Sequence, residues 1–264
     1  MKAPKLLSIS ADSKTVKGEK RGYLTAIHYG APADVAGVGN QCPHATDGCR
    51  MACLFTKGRA EVFKAIIPSR IARTQFLVTQ PAAAMLQLDR ELSAFKLRAK
   101  KYGFTPVARL NGTTDKRWEL TGVMARHADL RFYDYTKFPP AGRQFLPRNY
   151  TLTYSFTGEA ESLERSNAWR RRGVNTAVVF RVKRGRPLPK RFLGRPVIDG
   201  DLSDLRFLDK KGVFVGLRLK GRDKTETPFV VEVDDRGRAI DYRWQDVAPM
   251  PAVALTFNAK GVRL

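Results

Sequence analysis

Three cysteines lie close together near the beginning of the chain. Cys42, Cys49 and Cys53 fall within the segment QCPHATDGCRMACLFTKGR, in the spacing Cys-x6-Cys-x3-Cys. They are all the cysteines that the chain has, and their odd number does not suit a framework of disulfides. Thiolates this close in sequence can share one metal ion or one cluster. The segment therefore predicts a thiolate site in a reducing compartment.

The cysteine segment is compatible with three kinds of site. A [4Fe–4S] cluster held by three cysteines leaves one iron open to a substrate or to S-adenosylmethionine. A zinc ion could instead take the same thiolates with His44 as the fourth ligand. In the third interpretation the cysteines are inert and pack as small apolar side chains.

Polar residues also follow several apolar segments that are typical of buried strands. Asp134 is the most informative, because it lies inside the aromatic run FYDY, where neither a turn nor a helix cap is expected. A buried carboxylate requires a partner, and Lys137 or Arg109 could supply it. The candidate catalytic residues are Asp134, Asp199, Asp115, Asp201, Lys137 and Asn111. Capping and turn formation are the alternative roles, above all for Asp115.

The charge of the chain predicts a polyanionic partner. Lys and Arg number 48 against 25 Asp and Glu, which gives a formal net charge of +23. Such a field favours DNA or RNA, although a solvated basic surface without a specific ligand is the alternative. Trp169 and Phe192 could stack on bases. The candidate phosphate contacts are Arg170, Arg171, Arg172, Arg184, Arg186, Lys190 and Arg191.

Several other functions find no support in the sequence. No apolar stretch approaches the roughly 20 residues that cross a bilayer, and the first residues lack the apolar run of a signal peptide. We therefore expect no membrane partner. No P-loop, dinucleotide fingerprint or GxSxG turn is present, so nucleotide hydrolysis, nicotinamide chemistry and serine hydrolysis are not indicated.

Strand-like and helix-like segments alternate along the chain, which predicts an α/β fold with a parallel sheet. The predicted strands are 23–29, 106–111, 130–135, 150–156, 176–182, 196–199 and 213–219, and the predicted helices are 61–78, 81–102, 116–127 and 159–172. About six βα units favour a full or partial β/α barrel over residues 1–221. Segments 229–234 and 252–257 predict a small C-terminal β appendage over 222–264. In such a barrel the polar strand ends would converge on one site.

Two resemblances bear on the function. From GYLTAIHY through the CP-x-A-x-x-GC-x-x-x-CL element to VARLNGTTDKRWE, FYDYTKFP and VIDGDLSDLRF, the chain resembles a phage family related to the mycobacteriophage gene 88 products. That resemblance implies a phage protein made in the bacterial cytoplasm, and it brings no established reaction. The cysteine loop after a first strand also resembles radical S-adenosylmethionine enzymes, whose spacing is Cys-x3-Cys-x2-Cys.

These observations lead to one principal hypothesis and two alternatives. The principal hypothesis is a nucleic-acid-modifying phage enzyme with an Fe–S cluster on Cys42, Cys49 and Cys53. The first alternative is carboxylate-dependent base exchange or hydrolysis on nucleic acid, with zinc as a structural element. The second is a non-catalytic nucleic-acid-binding or host-takeover protein. The sequence indicates neither the choice between DNA and RNA nor an oligomeric state.

Overall fold

The computed structural model describes residues 3–10, 13–56, 59–220 and 226–240. Within these ranges the chain forms ten strands: β1 (Leu7–Ile9), β2 (Tyr23–His28), β3 (Thr105–Arg109), β4 (Arg131–Thr136), β5 (Tyr150–Ser155), β6 (Thr176–Phe180), β7 (Arg191–Phe192), β8 (Arg195–Asp199), β9 (Phe214–Arg218) and β10 (Val230–Val231).

The helices of the described residues are α1 (Ser13–Glu19), α2 (Asp47–Met51), α3 (Arg59–Val62), α4 (Ile66–Thr79), α5 (Pro81–Lys101), α6 (Val123–Arg126) and α7 (Ala160–Arg171). Helix α5 begins with Pro81, whose missing N–H would be unpaired in the first turn anyway. It ends with Lys100 and Lys101, cations that suit the negative end of a helix dipole. The helix agrees with the predicted segment 81–102.

The strands form one sheet in the order β1-β2-β3-β4-β5-β6-β9-β8-β7. All neighbours from β2 to β8 are parallel, whereas β1 and β7 pair antiparallel at the two ends. Strand β10 pairs with β6. In the described part of the chain the sheet is not closed by pairing of its end strands. The predicted α/β class is confirmed.

One face of the sheet packs against the helices. Alternate strand residues point to the same face, and Ala26, Ala108 and Phe132 share a core with Leu88 and Leu92 of α5. This apolar layer fixes the register of the strands, because a shift by one residue would turn their apolar side chains away from the helices.

The opposite face of the sheet is covered by the segment that follows β8. Leu205 packs against Val107 of β3 and Tyr133 of β4, and Phe207 lies edge-to-face with Tyr23 of β2. Helix α1 joins the same assembly, since Lys14 Nζ donates to the carbonyl of Gly200 at 3.1 Å. Residues after β8 therefore reach across to strands near the other end of the sheet.

The structure also differs from the predicted elements in several places. The predicted helix 61–78 is divided into α3 and α4, with Pro68 in the first turn of α4, and β7 was not predicted. Segment 116–127 forms a 3₁₀ turn (Trp118–Thr121) and the short α6 rather than one helix, because Gly122 adopts a left-handed conformation between them. Strand β1 and helix α1 had no predicted counterpart. Of the predicted appendage, β10 belongs to the main sheet, and 252–257 lies outside the described residues. No helix among the described residues is long and apolar enough to span a bilayer.

Candidate functional site

The three cysteines lie at the edge of the sheet where the parallel strands end, which we call the carboxyl edge. The Cys42 thiol faces the carbonyl of Thr113 at 4.0 Å, in the turn after β3. Cys49 lies in α2, whose N-cap residue Thr46 accepts a hydrogen bond from its amide at 3.2 Å. Its side chain packs in a cluster with Val179, near the end of β6. The loop and the short helix thus hold the thiols beside the ends of β3 and β6.

Lys137 lies at the centre of this group. It follows β4 directly, and its charge interacts with the side chains of Cys49, Asp115 and Cys42. Burial alone would lower the pKa of Lys137, but the neighbouring Cys49 and Asp115 raise it above its ordinary value. The side chain is therefore a cation held among the thiols. We call Lys137 and the three cysteines the cysteine–lysine pocket.

The environment of two thiols disfavours their ionised form. Burial raises the pKa of Cys42 to about 12 and that of Cys53 to about 11. The positive charge of Lys137 acts in the opposite direction on both groups but does not outweigh burial. A bound cation would shift this balance towards the thiolates, which are the forms that ligate metals.

Asp115 and Asn111 shape the wall of the pocket. Asp115 accepts a hydrogen bond from the backbone amide of Lys137 at 2.7 Å and one from Arg143 at 3.0 Å. The side chain of Asn111 closes the turn at Lys116 with two hydrogen bonds. Its oxygen accepts from the backbone amide of Lys116, and its NH₂ group donates to the backbone carbonyl of Lys116. The turn is tied to the cysteine loop through Gln41, whose carbonyl accepts from the Asp115 amide. Both predicted residues lie beside the pocket and hold its backbone.

Asp134 is buried completely, and it shares the face of β4 with Phe132, which packs in the helix-covered core. It accepts hydrogen bonds from the amide of Asn111 at 2.8 Å and from the hydroxyl of Tyr150 at 3.0 Å. Arg109 lies 3.8 Å away, as the sequence suggested for a partner. Burial raises the pKa of Asp134 to about 7. The carboxylate supports the end of β3.

Asp199 is the last residue of β8 and Asp201 follows the strand, apart from the described contacts of the cysteines. Both bind the guanidinium of Arg218, Asp199 at 2.9 Å and Asp201 at 3.1 Å. Although burial opposes it, hydrogen bonding to Arg218 holds the pKa of Asp199 below its usual value. These carboxylates are ionised and engaged in ion pairs.

Two further contributors to the pocket were missed from the sequence. Arg70 of α4 donates to the carbonyl of Phe55 at 2.7 Å and lies over the ring of Tyr29, and its charge acts on Cys53. Phe229 packs in the Cys49 cluster and faces the Lys137 ammonium at 5.7 Å. Arg70 and Phe229 lie in other segments of the chain than the cysteines, so no local sequence pattern predicts their contribution to the pocket.

The donor set suits a thiolate-ligated metal group in its chemistry, since three thiols share one cationic pocket. Within the described ranges, however, no three His, Cys, Asp or Glu side chains already stand in an arrangement that could hold a metal ion. Binding of a metal ion or cluster would require the side chains around Lys137 to rearrange. His44 packs edge-to-face on Phe138 at 4.4 Å between ring centres, and burial lowers its pKa. The iron–sulfur and zinc predictions stay predictions.

The predicted nucleic-acid contacts occupy different parts of the molecule. Arg184 and Arg186 are exposed in the loop after β6, whereas Arg170 and Arg171 are exposed at the end of α7, just before β6 begins. Trp169 is fully buried and donates to the carbonyl of Phe138. Phe192 is also buried, at 2% exposure. The suggested stacking of these two rings on bases is therefore wrong.

The fold and the site define an α/β protein with a thiol-rich pocket at the carboxyl edge of a parallel sheet. The family model of Gene product 88 matches residues 5–236, so the chain belongs to that family. The predicted relation to the phage gene 88 products is confirmed. No curated protein and no solved structure matches the chain.

Proposed function

We propose that this chain is a phage enzyme that modifies nucleic acid and that its reaction centre is the cysteine–lysine pocket. The observation that carries the proposal is the convergence of three thiols on Lys137 at the carboxyl edge. Parallel α/β folds bind ligands and reacting groups at this edge. The net charge of +23 supports a polyanionic substrate.

We also propose that the sheet is a partial β/α barrel. Strands β2 to β6 follow one another in both sequence and sheet order, as barrel strands do. The ion pair between Arg109 and Asp204, at 2.7 Å, joins β3 to the segment after β8 across the inner face. This arrangement would surround the pocket with strand ends from several units.

The proposed resident group is a [4Fe–4S] cluster held by Cys42, Cys49 and Cys53. When bound, it would supply single-electron chemistry, with S-adenosylmethionine as a second cofactor at the open iron. Lys137 would offset the negative charge of the thiolates, and Asp115 would keep the Lys137 backbone in place. Free thiols and a phage family favour the bacterial cytoplasm as the site of action.

Metal analysis of the full chain, purified without oxygen, tests the proposal. We expect about four iron and four sulfide per chain with visible absorption, as for a [4Fe–4S] cluster. Cys49→Ser should lose the iron, and Asp199→Asn, which lies apart from the thiols, should keep it. DNA and RNA incubated with the loaded protein and a reductant, with and without S-adenosylmethionine, should yield a nucleoside of altered mass, which Cys49→Ser does not produce.

The other outcomes separate the alternatives. Zinc without iron would favour the zinc-stabilised, carboxylate-dependent reaction instead of the cluster. In that case Asp134→Asn or Asp199→Asn should abolish activity, while Cys49→Ser should only lower stability. Neither metal nor altered nucleoside, together with salt-dependent binding, would leave a non-catalytic nucleic-acid-binding protein and reject the enzyme proposal.

A further inference from the structure

We propose that the phosphate backbone of the nucleic acid docks on a basic surface at the carboxyl edge, beside the cysteine–lysine pocket. The surface consists of Lys183, Arg184, Arg186 and Lys220, and we call it the basic rim. The inference rests on the proposed function, because it locates the substrate of that same site.

The basic rim adjoins the pocket through two neighbouring strands. Strand β6 ends at Phe180 and β9 ends at Arg218, so the residues that follow both strands emerge at the carboxyl edge. Val179 and Leu219, at the ends of these strands, pack in the cluster that contains Cys49. A polyanion on the rim would therefore lie next to the thiols.

Three of the four rim cations are available to a ligand. Lys183, Arg184 and Arg186 are exposed, and none of them forms an ion pair with a carboxylate in the part of the chain that the structure describes. Lys220 is 46% exposed on its side chain and contacts Asp201 at 2.9 Å. Phosphate contacts are made by such exposed cations on loops.

The rim is also held in a defined position. Arg218 donates two hydrogen bonds to the carbonyl of Arg186, from Nε at 3.0 Å and from Nη2 at 2.9 Å. Asp199 and Asp201 in turn bind the same guanidinium. These two carboxylates are therefore positioning residues for the loop, which explains their ion pairs without a role in the reaction.

The remaining predicted cations do not belong to this surface. Arg170 and Arg171 precede β6, so they lie near the opposite, amino edge. Arg172 is occupied by the carbonyls of Pro140, Arg143 and Gln144. Lys190 precedes β7 and Arg191 is its first residue; β7 pairs with the first residues of β8 and so also lies towards the amino edge.

Two triple variants with the same loss of charge provide the test. The rim variant is Lys183→Gln/Arg184→Gln/Arg186→Gln, and the control is Lys190→Gln/Arg170→Gln/Arg171→Gln. Binding of fluorescein-labelled single strands and duplexes of DNA and RNA to the full chain is followed by anisotropy over a range of salt concentrations. Circular dichroism and thermal unfolding check that both variants are folded.

We expect the rim variant to bind at least tenfold more weakly, while the control changes less than threefold. The slope of log K against log[salt] should shrink by about two for the rim variant on single strands, at about 0.7 for each lost contact. Comparison of the four probes shows whether the rim binds DNA or RNA, and whether it binds single strands or duplexes. Equal losses in both variants, or a larger loss in the control, would overturn the docking site while leaving nucleic-acid binding intact. A wild-type chain that binds none of the four probes at low salt would reject the proposed function as well.

Asp199→Asn tests the positioning role independently. The substitution makes the chain more positive by one charge, so a purely electrostatic surface would bind more tightly. If Asp199 positions the rim through Arg218, binding should instead weaken by about threefold to tenfold, because the rim cations would no longer be held against the phosphates. Asp129→Asn, which removes an exposed carboxylate before β4, gives the matched change of charge. Tighter binding by both variants would refute the positioning role.

Discussion

Asp134 is the most deeply buried of the candidate catalytic groups, and its surroundings explain why a carboxylate is tolerated there. Two backbone amides at the end of β3 and the Tyr150 hydroxyl donate to it, and Arg109 lies nearby. A carboxylate that accepts this many donors is satisfied even though it is excluded from water. Its role is to hold the turn that carries Asn111 and Asp115.

The raised pKa of Asp134 predicts a pH dependence of stability. Burial raises this pKa from 3.8 to about 7, so between these values the folded chain binds a proton that the unfolded chain has released. The stabilisation is complete below about pH 4 and is lost as the pH rises through about 7. Relative to Asp134→Asn, which cannot ionise, the wild type should lose about 2 to 4 kcal/mol of unfolding free energy over this range. Urea unfolding from pH 4.5 to 8 measures it, and parallel curves for the two proteins would contradict the prediction.

Lys137 should control the reactivity of the buried thiols. Its charge lowers the pKa values of Cys42 and Cys53 against the larger effect of burial. In the metal-free chain, Lys137→Met should therefore slow the alkylation of both cysteines by iodoacetamide at pH 9 several-fold, as read by peptide mass spectrometry. Lys137→Arg should retain most of the rate, and Lys96→Met, on the surface, should retain all of it. Unchanged alkylation in Lys137→Met would show that the ammonium does not act on these thiols.

At the scale of the elements, the segment that contains β10 covers the pocket because two glycines let it approach. A Cβ at Gly48 of α2 would overlap the hydroxyl of Thr227, and a Cβ at Gly158 would overlap the carbonyl of Pro228. Gly158 also has φ of +83°, a conformation that L residues rarely adopt. Phe229 is thereby placed over Cys49 and Lys137.

Gly158→Ala should detach this segment. The strain of the left-handed backbone accounts for about 1 kcal/mol, and the overlap with Pro228 should bring the loss of unfolding free energy to about 3 kcal/mol. Gly212→Ala is a matched control, since Gly212 has φ of +78° and a Cβ added there would meet no atom within 4 Å. Denaturant unfolding compares the two variants, and limited proteolysis should cleave near residues 226–231 in Gly158→Ala alone. Equal losses would show that the close approach contributes nothing.

The elements were predictable wherever the local pattern also decides the structure. Helix α5 and strands β2 to β6 have the apolar periodicity and end signals that fix them, and they appear where the sequence places them. Strand β1 has only three residues, and its pairing with β2 depends on a neighbour that no local pattern reveals. For the same reason only some residues of the site could be predicted from the sequence. The cysteines and Lys137 are recognisable from local patterns, whereas Arg70 and Phe229 reach the pocket only through the tertiary fold.

At the scale of the whole molecule, a buried ionic network lies where an apolar core would be expected. Arg109 of β3 binds Asp204 at 2.7 Å and lies over the ring of Tyr135 at 5.1 Å. Burial and the Asp204 carboxylate act in opposite directions on Arg109, and its pKa stays raised. The network joins β3 and β4 to the segment after β8. No local pattern predicts the ion pair with Asp204, because the partner of a buried charge depends on the tertiary arrangement.

This pair should behave as a coupled structural unit. Removing one partner leaves the other charge buried without compensation, so Arg109→Met and Asp204→Leu should each reduce the unfolding free energy by about 3 to 5 kcal/mol. The double variant replaces the pair by apolar side chains, and its loss should be smaller than the sum of the single losses by about 1 to 3 kcal/mol.

An exposed pair supplies the control for this cycle. Lys96 and Asp129 approach to 2.8 Å on the surface, and their single substitutions Lys96→Met and Asp129→Asn should each change the unfolding free energy by less than about 1 kcal/mol. Urea unfolding of all variants at pH 7.5 provides the comparison. Additive losses at Arg109 and Asp204 would mean that the two charges are not coupled and that the ion pair does not join β3 to the segment after β8, which is then held by its other contacts, such as those of Leu205 with Val107 and Tyr133.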